Sequence, residues 1–96
     1  MYQVIIDELV FEEDFRQISK PDQQKIIKAI RSKLVSAHEK FGSPLKGPLK
    51  GYWKLRVGQY RFVYEIEKEK IIVYVIIVGF RRDKEVYKAA IKRQGF

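Results

Sequence analysis

The stretch GYWKLRVGQYRFVYEIE, residues 51–67, sets Lys54, Arg56 and Arg61 among aromatic residues, with no acid before Glu65. In a pleated strand Trp53, Leu55 and Val57 share one face while Tyr52, Lys54 and Arg56 share the other. Arg61 opens the next strand across a tight turn. GFRRD, residues 79–83, carries Arg81 and Arg82 at the far end of a third strand, with Tyr87 shortly after. Where these ends meet, several cations gather around a phenol. Like charges in such a group repel, and they favour the neutral form of any lysine among them. A purely structural role would place carboxylates between the cations, and the hairpin has none. The pattern fits a site for an absent anion, a phosphate above all. The alternative reading is a solvated basic face.

These side chains need a scaffold, and the rest of the chain describes one. Residues 2–6 read as a first strand. Phe11, Phe15 and Ile18 recur at spacings of four and three, the stripe of a short helix. Ser19 or Lys20 sits where a cap belongs, and Pro21 suits a first helical turn. Ile27, Ile30, Leu34, Ala37 and Phe41 then predict a helix of about five to six turns, ended at Gly42. GSPLKGPLKG is a loop within the domain. Strands follow at roughly 52–57, 60–67 and 70–78; the last is apolar on both faces and belongs in the sheet interior. Asp83 is placed to cap a final helix that runs to about Arg93. The order β-α-α-β-β-β-α predicts an α+β fold: an antiparallel sheet, an N-terminal helical hairpin packed on one face, and a short C-terminal helix.

The chain has 96 residues and a net charge of +8, which suits one domain over residues 1–96. Without cysteine it can hold neither a disulfide framework nor thiol chemistry. The opening residues lack a basic leader, and IIVYVIIV is too short to span a bilayer. A soluble cytoplasmic protein is the expectation. Charge is divided unevenly. Residues 1–18 carry five acids against Arg16, whereas residues 45–61 carry Lys46, Lys50, Lys54, Arg56 and Arg61 with no acid. A basic second half is the expected footprint of a phosphate-bearing partner. His38 and the acids Glu12, Glu13 and Asp14 read as solvated helix surface, and Trp53 reads as core.

LKGPLKGYWKLRVGQYRFVYEI and VYVIIVGFRRDKEVYKAAIKR, behind a strand and two helices, resemble the RelE/ParE toxin superfamily of toxin–antitoxin modules, RelE-like toxins most closely. The resemblance spans essentially the whole chain. It implies a metal-independent, cofactor-free endoribonuclease that cleaves mRNA at the ribosome, moving the phosphate to the adjacent 2′-hydroxyl and releasing a 5′-hydroxyl. It assigns Lys54, Arg61, Arg81 and Tyr87 to catalysis: Lys54 as base, Arg61 on the non-bridging oxygens, Arg81 at the leaving oxygen, and Tyr87 against a nucleobase. Lys46, Lys50, Tyr52, Arg56 and Arg82 are the implied RNA contacts, although Arg82 also reads as solvated. Tyr52 stands where many ribosome-dependent relatives carry a second lysine, and Lys50 could substitute for it.

Two other functions stay open on the sequence. One is a ParE-like inhibitor of DNA gyrase without RNA cleavage, which generally lacks the Lys54, Arg61, Arg81 and Tyr87 set. The other is a catalytically weak ribosome- or RNA-binding module, which Tyr52 keeps open. The implied partners are mRNA, the ribosome and a cognate antitoxin, an acidic and partly helical segment folding across the basic face. Neither a membrane nor a metal is among them.

Overall fold

Alternating strand residues divide a sheet into two faces, and in this chain both faces are apolar. The computed structural model describes residues 2–80 and 85–94, with the side chains of residues 36–39 and 41 outside that description. Five strands run β1 (Gln3–Ile6), β2 (Ser43–Pro44), β3 (Tyr52–Val57), β4 (Tyr60–Glu67) and β5 (Ile72–Phe80). The helices are α1 (Glu8–Glu12), α2 (Lys20–Phe41) and α3 (Glu85–Arg93), and two 3₁₀ turns cover Asp14–Gln17 and Gly47–Leu49. The spatial order is β1-β5-β4-β3-β2.

The α+β class matches the expectation, but the sheet is mixed rather than wholly antiparallel. β3, β4 and β5 are joined by tight turns and must run antiparallel. β1 reaches β5 only after the helices, so nothing local sets its direction, and it pairs in parallel, Gln3 opposite Ile72 through Ile6 opposite Val75. The expected loop at residues 43–52 also holds order. Ser43 and Pro44 pair with Lys54 and Trp53, and buried Leu49 pins the second 3₁₀ turn.

α2 begins as its residues dictate, with Ser19 Oγ accepting from the Asp22 N–H and Pro21 in the first turn. Its buried stripe is Ile26, Ile30 and Leu34, so Ile26 rather than Ile27 sits deepest. Gly42 ends the helix with φ −95°, not in the left-handed region. Glycine is required there because a Cβ would lie 1.8 Å from the Tyr64 hydroxyl. The first helix is shorter than its spacing predicts. A break at Glu13 turns Phe11 outward, leaving it 48% exposed with its ring edge-on to Phe15 at 5.4 Å.

On one face, Val10, Phe15, Ile18 and the α2 stripe pack on Leu55, Phe62, Tyr64, Val73, Val75 and Val78. On the other, Val86 and Ala90 of α3, with Leu49, cover Val63, Ile76 and Ile77. A β-bulge makes this possible. Val63 opposes Ile77 and Tyr64 opposes Val75, so Ile76 is unopposed and two consecutive isoleucines face α3. Strand β5 extends two residues beyond the expected end, and its start moves to Ile72 because Lys70 and Ile71 belong to the preceding turn. Among the described residues no helix is long and apolar enough to cross a membrane.

Candidate active site

The hairpin turn is Gly58–Gln59. Gly58 has φ +58° and Gln59 stays out of the positive-φ region, the requirement of a turn with glycine first. It sets Arg56 opposite Arg61, and Lys54 opposite Val63, so Lys54 and Arg61 are diagonal neighbours on the α3 face. Trp53, Leu55 and Val57 pack into the core on the helical-hairpin face, as alternation predicts; the Trp53 ring stacks on Tyr64 at 6.5 Å.

α3 supplies the third group. Val86 and Ala90, four residues apart, bury against the sheet, and Tyr87 projects one position round. The Arg61 guanidinium carbon lies 5.0 Å from the Tyr87 ring centroid and Lys54 Nζ lies 6.0 Å from it. Both fall within the range of cation–π attraction. Gly79 pairs with Arg61 on β5, and a Cβ there would lie 2.3 Å from Val86 Cγ2, so its hydrogen lets α3 settle over the site.

Arg61 is only 8% exposed. Among the described residues, neither its Nε nor the buried Tyr87 hydroxyl has a hydrogen-bond partner. Orphaned buried donors are costly, about 1–3 kcal/mol each or more beside charge, and persist where a function requires them. Two of them belong to residues in ring contact here. Both can donate to an oxygen-rich anion.

The other expected contacts divide. Lys46, Lys50 and Arg56 are exposed, the lysines flanking the second 3₁₀ turn. Lys33 of α2, which no sequence signal marked, joins Ser43, Lys54, Leu55 and Arg56 around a cavity at the edge of β3. Tyr52 is half-buried and its hydroxyl donates to Gln94 Oε1 at 2.7 Å, so it anchors the end of α3. Burial first, then the Glu65 carboxylate opposite, raises its phenol above the ordinary range. Arg81, Arg82 and the expected cap Asp83 lie outside the described residues, as does the His38 side chain.

One expectation is overturned outright. Asp14 is not a solvated acid: its side chain is 8% exposed, and Arg93, at 13%, meets it at 2.7 Å. Arg93 also reaches Glu13 Oε2 and the Ile76 carbonyl. Burial pushes this guanidinium down, but Asp14 and Glu13 outweigh it and leave it above its ordinary value.

Residues 8–85 match the family described as ParE toxin of type II toxin–antitoxin system, parDE, and the chain belongs to the RelE/ParE toxin superfamily. Within it, the chain is 37% identical over 71 residues to the mRNA interferase toxin RelE of Escherichia coli (strain K12), covering 74% of this chain and 70% of that protein. The isolated E. coli RelE toxin shares its fold with TM-score 0.66 and 28% identity over 98% of this chain and 99% of that one. The toxin–antitoxin complex RelBE2 of Mycobacterium tuberculosis has a TM-score of 0.77 at 24% identity, over 85% and 93% of the two chains, a likeness of fold.

Proposed function

We propose that this chain, acting as one domain over residues 1–96, is a cytoplasmic toxin and endoribonuclease that cuts mRNA at the ribosome. The observation that carries the reading is the pair of buried donors, Arg61 Nε and the Tyr87 hydroxyl, which find no partner among the described residues and lie beside Lys54. The E. coli relative is named an mRNA interferase, which supports the same reaction. A ribose 2′-oxygen attacks the adjacent phosphorus while the bond to the 5′-oxygen breaks, leaving a cyclic phosphate and a 5′-hydroxyl. Lys54 accepts the 2′-hydroxyl proton. Arg61 holds the non-bridging oxygens, whose charge grows in the transition state. Tyr87, whose ring faces Arg61 and Lys54, orients the nucleotide. Arg81 supports the leaving oxygen electrostatically, since arginine gives up its proton reluctantly, and solvent water supplies the proton that makes it a 5′-hydroxyl. The reaction, as the resemblance implies it, uses no metal.

The partners follow from the same reading. A type II toxin has an antitoxin, and an acidic, partly helical segment across the α3 face would cover Lys54 and Arg56 and exclude RNA. Lys46, Lys50 and Arg56 contact the RNA backbone, with Arg82 beside them, and Tyr52 contributes through α3. Primer extension on an mRNA translated in vitro tests the proposal. Wild type should cut within codons; Arg61→Ala should lower the rate about 10²–10³-fold, as loss of a transition-state donor does, and Lys54→Ala about 10²–10⁴-fold. Arg81→Ala should also abolish the cuts. Because the matching family is described by its ParE toxins, gyrase inhibition is the second reading. Intact message with gyrase trapped on DNA would decide for it.

A further inference from the structure

β1 ends at Ile6, opposite Val75, but β5 continues to Phe80. Beyond Val75 no strand among the described residues lies beside this edge of β5, and its backbone groups must find other partners. They find an ion pair. Asp14 Oδ2 accepts the Val78 N–H at 2.9 Å, and Arg93 Nη1 donates to the Ile76 carbonyl at 3.0 Å. The two side chains join each other through both guanidinium nitrogens, at 2.9 and 2.7 Å. Asp14 and Arg93 thus stand in for one further stretch of strand, placed at the bulge residue Ile76.

The same pair ties the 3₁₀ turn after α1, on one side of the sheet, to the last residue of α3 on the other. Gln94, the next residue, is held by Tyr52 from β3. α3 is otherwise attached mainly by Val86 and Ala90. Tyr87 lies between these attachments, so the helix can keep its ring over Arg61 and Lys54 only while its C-terminal end is fixed. We infer that the Asp14–Arg93 pair is a positioning lock for the active site, acting through α3 to hold Tyr87 against Arg61 and Lys54. Neither residue touches the reacting atoms. The inference rests on the ribonuclease reading only for its effect on rate; the effect on Tyr87 is independent of it.

The test compares full-length wild type with Arg93→Gln, Asp14→Asn and the double variant, labelled at tyrosine for NMR, beside single-turnover cleavage on mRNA-loaded ribosomes. Each single variant should shift the Tyr87 ring resonances and lower the saturated rate about tenfold, with the half-saturating ribosome concentration unchanged. The double variant should be no slower than either single one, because both disable one device. Arg93→Lys keeps charge and stem but cannot reach Asp14, Glu13 and Ile76 together, and should fall between. It also carries the test if Arg93→Gln does not fold. Tyr60→Phe, which loses a bond to Asp22 on the opposite face, should leave the Tyr87 resonances in place. Wild-type Tyr87 resonances in folded Arg93→Gln or Arg93→Lys would overturn the lock. So would slower cleavage arising wholly from weaker ribosome binding. Shifted resonances in a protein whose wild type cuts nothing would support the lock and sink the ribonuclease reading.

Discussion

Ile71 is β-branched, half-exposed and held at φ 56°. The turn from β4 to β5 imposes this: its N–H meets the Lys68 carbonyl at 3.3 Å and its carbonyl accepts from Gln3 at 2.9 Å. A left-handed conformation costs such a residue roughly 1–2 kcal/mol, and asparagine tolerates it better. Ile71→Asn should therefore raise stability by about 1 kcal/mol, read as a higher Tm with cleavage unchanged. Glu65 offers a test by pH. Burial first, then Glu67, raises its carboxyl above the ordinary range, with Lys70 opposing. A carboxyl raised on folding binds its proton more tightly in the native state, so it costs stability once pH exceeds its unfolded value. Glu65→Gln should stabilise the protein at neutral pH, and the gain should vanish as pH falls below about 4, where both states of the wild type are protonated. Denaturant titrations at the two pH values check the sign.

At the scale of elements, Gly79 decides how closely α3 approaches the sheet. A methyl there would strike Val86 Cγ2, a β-branched atom on a helix with little room to turn. Gly79→Ala should cost about 1–3 kcal/mol and slow cleavage more than binding, since displacing α3 moves Tyr87; a denaturant titration beside single-turnover kinetics reads both. The β3–β4 hairpin was legible because its period is two and Gly58 marks its turn, and that hairpin carries Lys54, Arg56 and Arg61. The α2 stripe was legible for the same kind of reason. The parallel pairing of β1 was not, because its partner lies beyond every helix of the first half. The bulge at Ile76 was hidden inside a run of apolar residues that fits either face. Asp14 looked solvated beside Glu12 and Glu13, and its partner stands 79 residues away, where Arg93 reads as an ordinary last-turn cation.

For the molecule as a whole, charge governs encounter. With +8 overall and the α3 face carrying Lys54, Arg56 and Arg61, association with ribosomal RNA should weaken steeply as salt rises. Affinity measured from 50 to 200 mM salt should fall linearly on logarithmic axes; Arg56→Ala should flatten that line by about one counterion. A salt-independent affinity would point to a protein target such as gyrase. The pairing of Gln3 with Ile72 has a further consequence, in the order of manufacture. β1 leaves the synthesising ribosome ahead of β5, and α1, α2 and the β3–β4 hairpin must follow before its neighbour exists. Tyr87 comes later still, and Arg93, which fastens its helix, after that. On the proposed reading, a nascent chain that has Lys54, Arg56 and Arg61 but not yet α3 lacks the Tyr87 ring over them, and should not cut the message it is being made from.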